Sequence, residues 1–301
     1  MVMVSDNIRG AALMSASMAG YVCNDALVKL ASSDLGLFQI MCLRGLVTTT
    51  LLGCIAWRMK SLLPKLGRTD WYLLAFRMAG ETGATLCYLT ALFHMPIANA
   101  TAILQALPLA VTLGAAVFLG QRVGWRRYLA IGAGFIGVLI IIRPGAEGFN
   151  AYALWALGAV AFVVLRDLTT HRLSARVPSI FAALLGSVAI AATGAVLSPT
   201  MAWQPVDGRD VVLLGAAALF LIVGYLFGVM TMRVGEISFI SPFRYSVMIW
   251  AIFLGVVVFG EVPDGMMLLG VAIVIGTGIF TFHRERKSRQ AATRTATDGP
   301  D

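Results

Sequence analysis

The chain has 301 residues, 59% of them hydrophobic and only 13% charged, with a mean hydropathy of +0.85. Soluble domains carry about 25% charged residues, so a water-soluble globule is excluded, and the short polar intervals leave no room for a soluble catalytic or nucleotide-binding domain. The net charge of +8 does not point to nucleic acid, because the basic residues fall in short inter-segment loops and in the tail.

A bilayer-spanning helix needs about 20 apolar residues. Apolar windows predict such spans over 8–30, 35–57, 71–92, 97–119, 125–142, 151–172, 179–197, 211–232, 237–259 and 266–283. The first is too long for a signal-peptide core and no cleavage pattern follows it, so it reads as a retained span. The sixth is the weakest, since its apolar run over 151–165 is short and Arg166 and Asp167 then interrupt it. Residues 284–301 form a basic tail expected to be disordered. Cys23, Cys42, Cys54 and Cys87 all lie inside apolar segments without a CxxC pair, as packing residues would.

Placing the N-terminus in the cytoplasm distributes the charge unevenly. The inner side receives Arg9, Arg58, Lys60, Lys65, Arg68, Arg122, Arg126, Arg127, Arg172, Arg176, Arg233 and the tail residues Arg284, Arg286, Lys287, Arg289 and Arg294. The outer side receives only Lys29, Arg143 and Arg209. That is the positive-inside pattern, with Trp57, Trp71 and Trp125 at the inner interface. The expected fold is an all-α polytopic membrane protein of ten transmembrane helices with both termini cytoplasmic.

The two halves match at an offset of 140 residues. Asp70, Leu73, Leu74 and Leu86 fall on Asp210, Leu213, Leu214 and Leu226, and Ile97, Val117, Gly120 and Leu129 fall on Ile237, Val257, Gly260 and Leu269. At an offset of 142, Asp25 and Lys29 fall on Asp167 and His171. The loop from Gly120 to Arg127 is basic, whereas its counterpart from Gly260 to Gly265 is acidic. Five spans per half place equivalent loops on opposite faces, which predicts that reversal. The expected organisation is two inverted five-helix repeats, 1–146 and 147–283, an arrangement characteristic of secondary transporters.

Ten spans, a five-plus-five inversion and a Gly-Glu-Val-Pro turn (Gly260 to Pro263) leading into a span with Gly270, Gly276 and Gly278 resemble the drug/metabolite transporter superfamily, in its EamA-type members. The resemblance covers residues 8–283. Within the superfamily the chain looks most like bacterial exporters of aromatic and other neutral amino acids, which implies a multi-pass protein of the bacterial inner membrane. It also implies a path lined by spans one, three, four, six, eight and nine, with spans five and ten packed apart from it and able to support a homodimer. Gln121 departs from the pattern, standing where such families often carry an acidic residue.

The residues that look chemical are the ionisable ones inside spans, because a charge at a helix centre costs about 2.5–3.5 kcal/mol on insertion scales. Arg44, Arg77, Glu81 and Arg244 lie deepest, and Asp25, Arg166 and Asp167 nearer the ends. Four-residue spacing allows Arg77 to pair with Glu81, and Asp25 with Lys29. Arg166 is expected to snorkel to the inner interface. Pro108 and Pro242, in equivalent spans, are candidates for kinks that free a carbonyl. Gln105 and Tyr245 are equivalent neighbours of these prolines, and Tyr88, Trp155, Tyr225 and Trp250 supply aromatic surface within spans.

Gly132, Gly134 and Gly137 match GxGxxG but inside an apolar span, where close helix packing rather than dinucleotide binding is expected. There is no phosphate-binding loop, and His94, His171 and His283 are scattered, so neither cofactor nor metal is expected. The sequence offers no nucleophile with its base, which argues against a membrane-embedded enzyme. The reading is a secondary transporter of small metabolites, amino acids first. Candidate groups for a carboxylate are the arginines, and for an ammonium or a coupled proton Glu81 or Asp25. The alternatives are a cationic-drug exporter, a phosphate-ester or nucleotide-sugar carrier and, from another class, an enzyme or scaffold.

Overall fold

A computed structural model describes residues 2–62, 64, 66–120, 124–144, 150–231 and 237–297. Lys65, Gln121, Arg122 and Arg233 lie outside the described residues. The chain forms α1 (Val2–Ala31), α2 (Leu37–Arg58), α3 (Arg68–His94), α4 (Ile97–Leu104), α5 (Leu107–Leu119), α6 (Trp125–Ile142), α7 (Ala153–His171) and α8 (Ser179–Leu197). After a 3-10 turn at Ser198–Thr200 come α9 (Gly208–Thr231), α10 (Ile237–Ile240), a 3-10 segment Ser241–Ser246, α11 (Val247–Phe259) and α12 (Gly265–Thr297).

Among the described residues, seven helical stretches are long and apolar enough to cross a membrane: Leu37–Arg58, Ile97–Leu119, Trp125–Ile142, Ala153–His171, Ser179–Thr200, Gly208–Gly228 and Pro242–Phe259. The helices α1 and α3 are longer but interrupted by polar residues, Asn24, Asp25 and Lys29 in one and Arg77 and Glu81 in the other. The apolar part of α12 is Gly265–Thr281. This helix continues to Thr297, past position 284 where a disordered tail is expected. Arg, Glu, Lys, Gln and Ala are good helix formers, and no Gly or Pro intervenes before Gly299.

Two helices end alike. Gly120 closes α5 and Gly260 closes α11, with φ of 65° and 66°, the left-handed conformation glycine adopts without steric cost. Two stretches are also interrupted alike. The helix beginning at Ile97 breaks at Gln105 and Ala106, with Pro108 in the first turn of α5. The one beginning at Ile237 tightens into 3-10 geometry at Ser241, with Pro242 in its first turn.

Four long seams hold the helices together: α1 along α9, α2 along α8, α3 along α7, and α6 along α12. Glycine sets their spacing. A Cβ on Gly20 would lie 3.0 Å from the Phe220 carbonyl and the Gly224 Cα, and one on Gly80 would lie 2.9 Å from the Phe162 carbonyl and the Arg166 amide. Gly137 and Gly270 face each other, each carbonyl within 3.0 Å of where the other's Cβ would stand. Gly134 and Gly137 therefore serve helix packing, as expected, while Gly132 meets nothing within 4 Å. Gly276 departs from expectation: it too meets nothing, because it lies on the open side of α12, whereas Gly270 and Gly278 are in tight contact. The buried core runs through the seams and gathers Val22, Met41, Leu89, Ile97, Met248 and Val274.

Candidate functional site

Polar residues inside the bundle fall into two hydrogen-bonded groups. In the first, α1 supplies Asn24 and Asp25, α2 Arg44 and α3 Tyr88. The Tyr88 hydroxyl donates to Asp25 Oδ2 at 2.7 Å and the Asn24 side-chain amide donates to Asp25 Oδ1 at 2.9 Å. Arg44 Nη1 reaches Asn24 Oδ1 at 3.4 Å. Asn24 is buried and Asp25 half-buried. The hydroxyl of Thr101, on α4, lies beside the Tyr88 phenol without reaching hydrogen-bonding geometry.

In the second group, α3 supplies Arg77 and Glu81, and α7 supplies Arg166, Asp167 and Thr170. Glu81 lies between two guanidinium groups, 3.6 Å from Arg77 Nη2 and 3.4 Å from Arg166 Nη1. Arg166 also binds Asp167 at 2.9 Å. Arg77 donates to Thr170 Oγ1 at 3.0 Å and to the Ala182 carbonyl at 2.9 Å, fastening α3 to α7 and α8. The expected Arg77–Glu81 pair forms. Arg166 does not extend unpaired, because two carboxylates, Glu81 and Asp167, hold its guanidinium.

The expected Asp25–Lys29 pair does not form either. Lys29 Nζ donates to Glu261 Oε1 at 2.5 Å and to the Met95 carbonyl at 2.7 Å, and sits 4.9 Å from the centre of the Phe259 ring. Glu261, from the Gly-Glu-Val-Pro turn, also accepts the amide of Ile97 at 2.8 Å and so satisfies a free N–H at the start of α4. One carboxylate thus ties the end of α1 to the α3–α4 and α11–α12 turns. Other ion pairs at this end are Arg209 with Asp34 and Arg143 with Asp264. At the opposite end Asp70 accepts from the amide and hydroxyl of Ser174, at 3.2 and 2.9 Å.

A face of α1 runs between the two groups. Ser17, Tyr21 and Asp25, spaced by four, share it. Ser17 Oγ donates to the Gly224 carbonyl at 2.6 Å, and the Tyr21 ring lies over Gly224 and Gly228 of α9. Tyr21 is in electrostatic reach of Tyr225, Arg244 and Arg166. Arg244 and Tyr245 occupy the 3-10 segment, Arg244 exposed and Tyr245 with its phenol against Gly278 of α12. Gln105 stands half-buried at the break after α4. Trp155 and Tyr225 are 44% and 42% exposed and belong to neither hydrogen-bonded group.

Of the buried polar side-chain atoms with no hydrogen-bond partner among the described residues, three belong to the two broken stretches: Thr101 Oγ1 on α4, and Ser246 Oγ and Trp250 Nε1 where the 3-10 segment meets α11. These elements pack together, α11 on α4 and on α1. Unpaired polar atoms are costly inside a protein unless something binds them. Thr101 and Asn24 are not among the candidates named from the sequence, although each stands there as a polar residue within an apolar span. Nothing local marked Ser246 or Glu261 as partners of the bundle.

An all-helical membrane protein with polar and ionisable groups held between helices, and helices broken beside them, has the construction of a small-molecule transporter. Residues 8–143 match the EamA-like transporter family. A riboflavin transporter of Vibrio cholerae is 30% identical over 224 residues, covering 73% of this chain and 74% of that protein. An S-adenosylmethionine uptake transporter of Rickettsia conorii is 26% identical over 64% of the chain and 65% of that protein. A pseudopaline exporter of Pseudomonas aeruginosa is 27% identical over 91% of the chain and 96% of that protein. A solved structure at 20% identity superposes with a TM-score of 0.57 over 90% of this chain and 98% of its own, a likeness of fold. The chain belongs to the EamA-like transporter family of the drug/metabolite transporter superfamily.

Proposed function

We propose that the protein is a secondary transporter that alternates a central path between the two faces of the bacterial inner membrane and carries an organic metabolite bearing a planar ring and polar substituents. The observation that carries this reading is the set of unpaired polar atoms on the broken stretches, Thr101, Ser246 and Trp250, together with the Asp25–Tyr88 pair between α1 and α3. Tyr21, Tyr88, Tyr225 and Tyr245 offer aromatic surface for a ring. Asp25, Arg44, Arg77, Glu81 and Arg244 offer charge for its polar groups, and Gln105 and Trp155 extend the lining. The V. cholerae relative makes riboflavin the first substrate to test.

The accompanying architecture is ten spans in two inverted repeats, 1–146 and 147–283, with the termini cytoplasmic and 284–301 as the tail. The helix pairing supports it. Taking α4–α5 as span four and α10–α11 as span nine, exchanging the halves converts the α1–α9 seam into α7–α3, and leaves α2–α8 and α6–α12 as they are. Residue register agrees: Gly80 and Phe220 are 140 apart, Gly20 and Phe162 are 142 apart, and in both seams the glycine faces the phenylalanine carbonyl. The Gly120 and Gly260 caps are likewise 140 apart.

Amino acids are the second reading. The favouring observation is that Asp25 and Arg44 lie one side chain apart, bridged by Asn24, so one site offers opposite charges to a zwitterion. The relatives' names include uptake and export, and proton coupling through Asp25 or Glu81 would serve either direction.

The test is counterflow in proteoliposomes containing only this protein, with labelled riboflavin, and labelled phenylalanine in parallel. Saturable riboflavin exchange that is lost in Asp25→Asn supports the proposal. Phenylalanine exchange alone selects the second reading, and no exchange of either by folded protein removes both.

A further inference from the structure

The first turns of α6 and the open side of α12 leave an open groove of about 450 Å³ on the outside of the bundle, away from both polar groups described above. Its walls are Trp125, Leu129, Ala133, Gly276 and Phe280, with Arg126 at one end. Small residues keep the groove open: a Cβ on Gly276 would meet no atom within 4 Å. Its polar neighbour Thr277 also lines the groove, with its hydroxyl already donating to the Ile273 carbonyl at 2.9 Å. The long wall is therefore hydrocarbon.

The end is different. Trp125 opens α6 and is 66% exposed, and the Arg126 guanidinium stacks over its ring at 5.3 Å. Arg126 pairs with no carboxylate among the described residues, and α12 continues past Phe280 through positions occupied by Arg284, Arg286 and Lys287. Tryptophan beside arginine at the end of a membrane helix marks the headgroup level. A basic group at the mouth of an apolar cleft between membrane helices suits an anionic headgroup, and arginine holds phosphate through paired N–H groups.

We propose that this groove is a binding site for an anionic phospholipid, with one acyl chain along Leu129, Ala133, Gly276 and Phe280 and the headgroup phosphate on Arg126. The charge at the mouth selects a lipid over a second copy of the chain. This same face carries Arg126, and two copies meeting there would bring like charges together. The inference rests on α6 and α12 crossing the bilayer and not on the identity of the transported substrate.

The test uses purified full-length protein in mild detergent, with phosphatidylglycerol and phosphatidylcholine of identical acyl chains, read by native mass spectrometry and by thermal shift. Phosphatidylglycerol is expected to stay bound and to stabilise more than phosphatidylcholine. Arg126→Gln should weaken phosphatidylglycerol about fivefold, as loss of one basic contact at a membrane surface does, and bring it level with phosphatidylcholine. Gly276→Leu fills open space, so the protein should fold normally yet retain less of either lipid. Equal retention of the two lipids by the wild type, an unaltered preference in Arg126→Gln, or unaltered retention in Gly276→Leu would overturn the proposal. So would a shift produced by free glycerol phosphate alone, or a dimer cross-linked through α6 and α12 in place of lipid.

Discussion

The contact between Lys29 and Glu261 joins the two halves of the chain, and its removal should reveal coupling rather than simple loss. Breaking a buried ion pair on one side costs about 3–5 kcal/mol when the orphaned charge is sealed from water. Here the side chains are 12% and 19% exposed, so water softens the loss. Lys29→Met leaves Glu261 with the Ile97 amide at the start of α4, where a helix N-terminus favours an anion by about 0.3–1 kcal/mol, and the expected cost is about 1–2 kcal/mol. Glu261→Gln leaves the Lys29 ammonium with only the Met95 carbonyl and the Phe259 ring, at an expected cost of about 2–3 kcal/mol. The double variant leaves neither charge stranded and should cost about 2 kcal/mol, well below the sum of the two. The assay is a double-mutant cycle on equilibrium unfolding in mixed micelles with increasing dodecyl sulfate. Costs that add to within about 0.5 kcal/mol would refute the reasoning, since independent sites behave that way.

Other consequences are as direct. Gly194→Ala puts a Cβ 2.7 Å from the Phe38 carbonyl and 2.9 Å from the Cys42 Cα, backbone that cannot rotate away, and should destabilise the α2–α8 seam by about 1–3 kcal/mol. Gly132→Ala, a glycine in the open on α6, should instead be neutral or raise the melting temperature, by up to about 1 kcal/mol of helix propensity. Tyr88→Phe removes the hydroxyl held by Asp25, and a bond to a charged group is worth about 1.5–3 kcal/mol; transport in liposomes should fall about tenfold or more while the protein still elutes as a monodisperse species. The carboxyl of Asp264 is held below the usual carboxylate range by the Met267 amide and by Arg143. Its contribution to stability is therefore present above about pH 4 and lost as pH falls through its lowered value. Wild type should lose its advantage over Asp264→Ala on acidification, as followed by melting temperature.

Sequence patterning reached the helices because long apolar runs mark them, seven of the described stretches being long and apolar enough to cross a membrane, and the break points because proline lacks an amide donor. It also identified the Arg77–Glu81 pair, two residues with one helix face in common. It erred on Lys29. Four-residue spacing to Asp25 is worth only about 0.2–0.5 kcal/mol, and a partner from a turn 232 positions away, with a carbonyl beside it, outweighs that. Arg166 likewise has a partner that its own helix does not reveal, since Glu81 belongs to α3. Gly270 and Gly276 looked alike in sequence, yet six residues advance a helix about one turn and two-thirds, so one faces the seam and the other the open side. The unpaired atoms of Ser246 and Trp250 had no sequence signal, because being unpaired depends on what every neighbouring helix fails to provide.

Each of the four long seams joins a helix from before residue 147 to one after it. During synthesis, then, the first half emerges before the principal packing partners of α1, α2, α3 and α6, and its glycine faces and its ionisable residues wait until the ribosome delivers their complements. The half-made chain lacks all four long seams. A late truncation or a slow stretch of translation should consequently expose the molecule to membrane proteases far more than one at an ordinary domain boundary, and assembly should finish only when α12 docks on α6.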